Sequence, residues 1–333
     1  MPTTTDRRHF IAAAAATLAA AGVSCAAWAQ QQQPAITTVW SGFPSGGLGD
    51  QVTRPLIERL KGRYPGTLIF DAKPGAGGRI AADFVKRSAP DGGTLLQVPS
   101  SPITLFPHTY AGKLAYDPLV DFAPVTPLAA YTISMTVGPG TPAEVKTVDD
   151  FVKWARANPG KASYGVPAAG SAPHFIGMMF ERAAGLGMTS VPYKGGAPLL
   201  QDLLGGQVPV GFNVVSEVLP HLRSGRLRSL AVASPQRWHA MPDVPSFAEL
   251  GYKDIQVVEF LGWYAPARTP ADVVRRLNAA VQEALAAPEM AEVFQRHGLL
   301  PLRESPETFA ARVKADLAHW GPIVKATGFR PED

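Results

Sequence analysis

The stretch "TVWSGFPSGGLGDQVTR" (residues 38–54) predicts how this chain folds. A short apolar run that ends at Trp40 leads into a turn rich in glycine, and Asp50 then opens a helical pattern. A strand, a glycine turn and a helix in this order present backbone N–H groups to an anion. The turn has no Lys, and no Ser or Thr where a nucleotide site would need one. The stretch therefore predicts an α/β fold with an anion site of a kind other than a nucleotide loop.

The first 29 residues have the pattern of an export signal. Arg7 and Arg8 precede an apolar, alanine-rich run from Phe10 to Val23, and small residues follow up to Ala29. The apolar run is too short for a retained membrane span. We predict cleavage after Ala29, export by the twin-arginine route and a location in the periplasm.

Two details of the signal leave alternatives open. Asp6 stands where a twin-arginine signal usually has Ser or Thr, so general secretion is the alternative route. Cys25 raises the possibility of a lipoprotein, although no Leu lies three positions before it. Residues 30–35 are polar and are expected to form a disordered tether.

Composition excludes several classes of protein. The single cysteine lies in the predicted signal, so the mature chain would have no disulfide and no thiolate site. The formal net charge is +4, without a run of basic residues, so nucleic acid is not an expected partner. A chain of this length tends to divide into two lobes around separate cores. We expect a soluble monomer.

Short β-like runs alternate with helical patterns, which predicts a parallel-rich α/β sheet covered by helices on both faces. The strand candidates are residues 36–40, 68–70, 94–98, 163–166, 190–192, 208–212 and 227–233. Helix starts are predicted at Thr147, Thr269-Pro270 and Ser305-Pro306.

Two extended segments, residues 122–142 and 256–270, are predicted to cross between lobes. The first lobe would then comprise residues 36–135 and 258–333, and the second lobe residues 136–257.

Four turns that follow strand candidates combine proline with small residues. They are "GFPSGGLGD" (42–50), "AKPGAGGRI" (72–80), "GVPAAGSAPH" (165–174) and "PYKGGAP" (192–198). In an α/β sheet such turns gather at the carboxyl ends of the strands, where ligands bind. Gly and Pro also punctuate ordinary loops, so a structural role for each turn remains the alternative.

Sequence signatures of enzymes and cofactor sites are absent. The first turn offers Gly47-Leu48-Gly49 instead of a Walker ending, and Ile80 occupies the place of the third glycine in a dinucleotide motif. The histidines form no metal-like cluster, and no metal or cofactor is predicted. Ser171 and His174 suggest a nucleophile and its base, but a helix cap and a turn contact explain that spacing better.

Seven segments, taken in order, resemble a known family. They are "SGFPSGGLGDQVTR", "KPGAGGRIAADFV", "SAPDGGTLL", "GSAPH", "VPYKGGAPLLQDLLGGQV", "LPHLRSGRLRSLAVAS" and "PDVPSFAELGY". The family is that of the tripartite tricarboxylate transporter substrate-binding proteins, also called Bug receptors. The resemblance runs from about Ile36 to the C-terminus.

The resemblance implies a function and a fold. It implies a periplasmic binding protein, type II-like, with two α/β lobes that close on a small carboxylate. That carboxylate would be a di- or tricarboxylate, an amino acid or an aromatic acid. The receptor would deliver it to a two-component permease in the cytoplasmic membrane and would not be an enzyme. A ligand sensor for a signalling partner is the alternative, and a hydrolase using Ser171 and His174 is a third.

The resemblance also implies site residues, because family ligands are held by backbone N–H groups rather than by an arginine. The implied residues are Phe43, Pro44, Gly46, Gly47, Ser100, Ser101, Gly170, Ser171, His174, Tyr193, Gly195, Gly196, Ala197 and Asn213. Two prolines depart from the family pattern. Pro55 is expected to kink the first helix or to shift its start toward Asp50, and Pro173 directly precedes His174.

Overall fold

The computed structural model describes residues 34–331. The predicted signal peptide, residues 1–29, and most of the predicted tether, residues 30–35, lie outside the described residues. Within that tether, the carbonyl of Ala35 accepts a hydrogen bond of 2.8 Å from the amide of Thr67. Backbone pairing therefore begins one residue before the first strand.

Within residues 34–331 the chain forms ten strands and twelve α-helices. The strands are β1 (Ile36–Ser41), β2 (Thr67–Ala72), β3 (Thr94–Pro99), β4 (Phe122–Val137), β5 (Ser163–Val166), β6 (Thr189–Pro192), β7 (Val210–Val214), β8 (Arg228–Val232), β9 (Val258–Pro266) and β10 (Leu300–Pro301). The helices are α1 (Leu48–Leu60), α2 (Arg79–Lys86), α3 (Ser101–Thr104), α4 (Phe106–Thr109), α5 (Pro118–Asp121), α6 (Val148–Ala157), α7 (Ala172–Ala184), α8 (Gly196–Leu204), α9 (Val215–Arg223), α10 (Ala271–Leu285), α11 (Pro288–His297) and α12 (Pro306–Thr327).

Local sequence chemistry explains where many of these elements begin. Thr147 accepts a hydrogen bond from the Asp150 amide and the Asp150 carboxylate accepts one from the Thr147 amide, so a capping box starts α6. Strand β7 begins at Val210 rather than at the predicted residue 208. Pro209 has no N–H to donate to a sheet, so the strand starts after it.

The prediction that Pro55 shifts the start of the first helix toward Asp50 is wrong. Helix α1 begins at Leu48 and continues through Pro55 to Leu60. Proline removes one backbone hydrogen bond. Six buried side chains on α1 offset that loss by packing into the core.

The strands form two groups that share β4. The order of the sheet is β2-β1-β3-β9-β4-β7-β5-β6, with β8 and β10 also paired to β4. Within the outer parts, β1 pairs in parallel with β2 and β3, and β5 pairs in parallel with β6 and β7. Strands β4 and β9 run antiparallel to their neighbours. The predicted mixed α/β class is confirmed.

Strand β4 connects the two groups because it is 16 residues long. Its first part pairs with β9, from Phe122 opposite Pro266 to Thr132 opposite Val258. Its last part, from Ile133 to Val137, pairs with β7 and β8. One apolar core cluster includes buried residues from both groups, such as Val39 and Phe212. This topology brings the ends of β1 and β3 near those of β5 and β6.

Candidate functional site

Three helices begin at one cavity. Gly47 and Ser171 are the N-cap residues of α1 and α7, and Gly196 is the first residue of α8; all three line the cavity. No side chain at any of these N-caps bonds to the first-turn amides. The first four N–H groups of a helix lack intrahelical acceptors, and the helix dipole adds partial positive charge there. The arrangement suits an anion or another hydrogen-bond acceptor.

The cavity is small. Its volume is about 70 Å³, which corresponds to roughly five water molecules at ~10–15 Å³ each. Apolar side chains form much of the wall, and polar side chains come from Ser41, Gln97, Ser101, Tyr131, Ser171, Glu217 and Glu259.

The structure brings half of the sequence-implied site residues to this cavity. They are Phe43, Pro44, Gly47, Ser101, Ser171, Gly196 and Ala197. Tyr193 and Gly195 line a neighbouring cavity, which shares Phe43, Pro44 and Ala168 with the first. Gly46, Ser100, Gly170, His174 and Asn213 line neither of the two cavities.

Three of these five residues lie in different surroundings outside the two cavities. The amide of Gly46 donates to Asp50 Oδ2 at 3.0 Å. The hydroxyl of Ser100 donates to Glu259 Oε1 at 3.1 Å. Asn213 is buried on β7, and neither polar atom of its side chain has a hydrogen-bond partner.

His174 supports the turn that precedes α7. Its Nδ1 accepts a hydrogen bond of 3.0 Å from the Gly170 amide, so this nitrogen carries no proton. Burial lowers the pKa of His174 to about 4, which keeps the ring neutral at physiological pH. The ring packs edge-on against Phe329, with 5.4 Å between ring centroids. The hydrogen bond joins His174 to Gly170, whose φ is +68°.

Ser171 and His174 do not form a nucleophile and base. The hydroxyl of Ser171 donates to the Ala168 carbonyl at 2.7 Å. His174 Nδ1 is taken by the Gly170 amide. Each group bonds elsewhere, and the arrangement favours a structural role for both.

Sequence reasoning missed Glu217, a carboxylate at the edge of the cavity. Its Oε1 accepts a hydrogen bond of 3.3 Å from the Leu48 amide in the first turn of α1. Its Oε2 is buried without a partner, although the residue as a whole keeps some exposure. A Cβ on Gly196 would collide with this carboxylate. Burial raises the pKa of Glu217 to about 7, and the Leu48 hydrogen bond opposes that rise.

Glu259 is a second carboxylate that was missed. It lies on β9, is 4% exposed, and accepts hydrogen bonds from Ser100, Ser101 (2.5 Å) and Tyr131 (3.2 Å). Burial raises its pKa and these hydroxyls counteract the effect. Ser101 also accepts the Ala172 amide at 3.0 Å and so links this carboxylate to the start of α7.

The sequence contains a signal that could have identified Glu259 as a candidate site residue. It is a lone charge in the apolar run "VVEFLGW" (257–263), where a buried strand is expected. A charged residue in such a run has to be hydrogen-bonded or functional. Glu217, in "VVSEVL" (214–219), lies on an amphipathic helix and gives no comparable signal.

Basic side chains lie outside this cavity. No Lys, Arg or His among the described residues lines it. Arg79 and Lys194 line the neighbouring cavity. The guanidinium of Arg79 lies 3.9 Å from the Tyr110 ring centroid, and its Nε donates to the Ala76 carbonyl.

Residues 34–331 contain no candidate metal site and no candidate membrane-spanning helix. No group of three or more His, Cys, Asp or Glu residues there could hold a metal ion. No helix in the described part of the chain has the length and apolar character needed to cross a membrane.

Comparison with known proteins places the chain. Residues 52–329 match the family described as the tripartite tricarboxylate transporter family receptor. Protein BugT of Bordetella pertussis (strain Tohama I) is 30% identical over 286 residues, which is 86% of this chain and 87% of BugT.

Solved structures with bound ligands are also similar. R. palustris Rpa4515 with adipate superimposes with a TM-score of 0.83 at 31% identity, covering 89% of this chain and 98% of that one. MatC (Rpa3494) from Rhodopseudomonas palustris with bound malate gives a TM-score of 0.80 at 28% identity, covering 87% and 98%.

The family match and the similarity to BugT both span most of the chain. They confirm the resemblance drawn from the sequence motifs and the predicted α/β fold of periplasmic binding proteins. This chain therefore belongs to the tripartite tricarboxylate transporter receptor family of periplasmic solute-binding proteins.

Proposed function

We propose that this protein captures a small carboxylate in the periplasm and delivers it to a two-component permease in the cytoplasmic membrane. One observation carries the proposal. Turns from distant parts of the chain, at Gly47 and at Ser171 and Gly196, meet at one small cavity where three helices begin. Convergent helix N-termini without a reactive side-chain pair suit binding better than catalysis.

Two features support a carboxylate as the ligand. Related receptors of known structure hold adipate and malate, both dicarboxylates. Hydrogen bonds to a charged group contribute about 1.5–3 kcal/mol each, so three amides would contribute roughly 5–9 kcal/mol before ordering costs. A micromolar receptor needs about 8 kcal/mol net.

We propose that two lobes close around the ligand, residues 36–135 with 258–333 and residues 136–257. The sheet divides into two strand groups joined through β4, which is consistent with these bounds. Hydrogen bonds already join the proposed lobes around the cavity, from the Leu48 amide to Glu217, the Ala172 amide to Ser101 and the Tyr110 hydroxyl to the Ala169 carbonyl. Closure would let the permease distinguish the loaded receptor from the empty one.

The remaining parts of the proposal concern export, oligomeric state and catalysis. We propose that cleavage after Ala29 releases a monomeric receptor into the periplasm and that the protein is not an enzyme. The separate hydrogen bonds of Ser171 and His174 support the last point.

Calorimetric titration with C4–C6 diacids, citrate, amino acids and aromatic acids tests this proposal. We expect one ligand per chain, micromolar affinity and recovery of the ligand unchanged. Release of a reaction product, or no binding by any small acid, would contradict the proposal.

A further inference from the structure

Among residues 34–331, the cavity wall contains two carboxylates and no basic side chain. Glu217 and Glu259 both line it, whereas Arg79 and Lys194 lie in the neighbouring cavity. The second carboxylate of a dicarboxylate ligand would be repelled by Glu217 and Glu259 in their ionised forms. The reason is that a low-dielectric cavity strengthens interactions between charges. A simple dicarboxylate is therefore a poor match to this wall.

Glu217 occupies part of the site that the helix amides would otherwise offer to a ligand. Its Oε1 already accepts the Leu48 amide, and its Oε2 lies close to Gly196 at the start of α8. That Oε2 is buried and has no hydrogen-bond partner. Buried polar atoms are normally paired, so an unpaired carboxylate oxygen at a cavity wall indicates a donor that arrives from outside the chain.

Glu259 is held in a different way. Three hydroxyls, those of Ser100, Ser101 and Tyr131, donate to it. These bonds keep the carboxylate fixed at the cavity wall without an ion pair. In its ionised form this carboxylate adds negative potential to the cavity.

Gln97 supplies a hydrogen-bond donor, whereas Glu217 supplies an acceptor. It is 1% exposed, and its Oε1 accepts hydrogen bonds from Trp263 Nε1 at 2.8 Å and from the Thr53 hydroxyl. The amide is thereby oriented, and its Nε2 is a buried donor without a partner. A ligand that satisfies both orphan atoms needs a donor for Glu217 and an acceptor for Gln97.

We propose that the solute of this receptor is a small amino acid or a similar zwitterion. Its protonated nitrogen binds Glu217, and its carboxylate accepts hydrogen bonds from donors in the cavity wall. The proposal rests on the receptor role proposed above and narrows its ligand class. Gln97 Nε2 is one donor in the cavity wall, beside the helix amides. Arg79 and Lys194 add positive charge next to it, because the two cavities share Phe43, Pro44 and Ala168.

A protonated Glu217 offers the competing explanation. In that form its hydroxyl could donate to a ligand carboxylate, and the site would accept a diacid. The preference for one ligand over another distinguishes the two explanations. A protonated Glu217 would favour a ligand with a second carboxylate, whereas an ionised Glu217 favours a ligand with an ammonium group.

Matched pairs of ligands test the proposal by calorimetric titration at pH 7.5. Aspartate and malate differ in an ammonium against a hydroxyl group, and 6-aminohexanoate and adipate differ in an ammonium against a carboxylate. The common amino acids and C4–C6 diacids complete the series. We expect the tightest amino compound to bind at least tenfold more tightly than its matched acid.

Two variants locate the effect. Glu217→Gln should reduce the preference for the amino compound at least tenfold, whereas Glu292→Gln, the same change on the exposed face of α11, should leave it unchanged. If Glu217→Gln does not fold, the preference of the unaltered protein decides the matter.

The outcomes are distinct. Tighter binding of malate or adipate than of the amino partners, or an unchanged preference in Glu217→Gln, would overturn the inference and leave the receptor role intact. A protein that binds neither series would contradict the receptor proposal as well as the inference.

Discussion

The turn at Gly46–Leu48 and the turn at Gly170–His174 look alike in sequence, yet their amides have different partners. In the second turn the Gly170 amide is bonded within the turn to His174. In the first turn the Leu48 amide reaches Glu217, which is 169 residues away. The Leu48 amide thus depends on the fold for its acceptor, whereas the Gly170 amide finds its acceptor within its own turn.

A turn of small residues before a helix is therefore not by itself a ligand site. In the Gly170 turn the Gly170 amide is bonded to a neutral imidazole, and neither Gly170 nor His174 lines the cavity. The Leu48 turn is bonded by a charged group that also faces the cavity. Four substitutions test the difference between these two amides.

Gly196→Val should have the largest effect. The new side chain would collide with the Glu217 carboxylate and displace it from the cavity wall. We expect ligand affinity to fall about a hundredfold, which is about 2.7 kcal/mol, by calorimetric titration. Gly160→Val is the matched control, because a Cβ there meets nothing within 4 Å. Equal losses in both variants would refute the placement of Glu217.

Glu217→Gln should change how stability depends on pH. Burial raises the pKa of Glu217 from its ordinary value near 4.5 to about 7. The folded state therefore binds the proton more tightly, and the contribution is present below pH 4.5 and lost as pH rises through 7. Urea unfolding at pH 5 and pH 7.5 should show roughly 2 kcal/mol less pH dependence in the variant. Identical profiles for the variant and the unaltered protein would contradict this account.

His174→Leu should act in the opposite direction. Burial lowers the pKa of His174 from 6.5 to about 4, so its contribution is present above pH 6.5 and lost as pH falls through 4. The variant leaves the buried Gly170 amide unpaired, which costs about 1.5 kcal/mol at pH 7. Urea unfolding measures this loss, while ligand affinity should change less than threefold. A tenfold loss of affinity would instead place His174 in the site.

Gly47→Val should have the smallest effect of the four. A Cβ on Gly47 would lie 2.9 Å from Glu217 Oε1, a contact that a small shift of the side chain relieves. We expect about a tenfold loss of affinity, or about 1.4 kcal/mol, with an unchanged urea midpoint. Unchanged affinity would mean that the first turn serves only as a loop.

The sequence predicted the elements better than the site. Strand and helix starts follow from local chemistry, such as the capping box at Thr147 and the proline that delays β7. Gly47, Ser171 and Gly196 were placed near a ligand by motif, and the structure brings them to one cavity. Whether they bind the solute stays a prediction.

The sequence could not have shown which residue accepts the hydrogen bond of the Leu48 amide. Gly170 finds its acceptor four residues away, within the reach of local reasoning. Leu48 finds Glu217 only because β4 joins two strand groups and carries α9 against α1 and α8. No periodicity or spacing encodes such a contact.

By itself, then, the sequence determined the family, the α/β class and the turns that open the helices, because hydrophobic alternation, caps and glycine conformations act over a few residues. Only the tertiary structure determines which backbone amides lie near the cavity. It also places two carboxylates in the cavity wall. The physical reason is that burial and unpaired hydrogen-bonding atoms arise from contacts between distant segments, and these set the charge that the site presents to a solute.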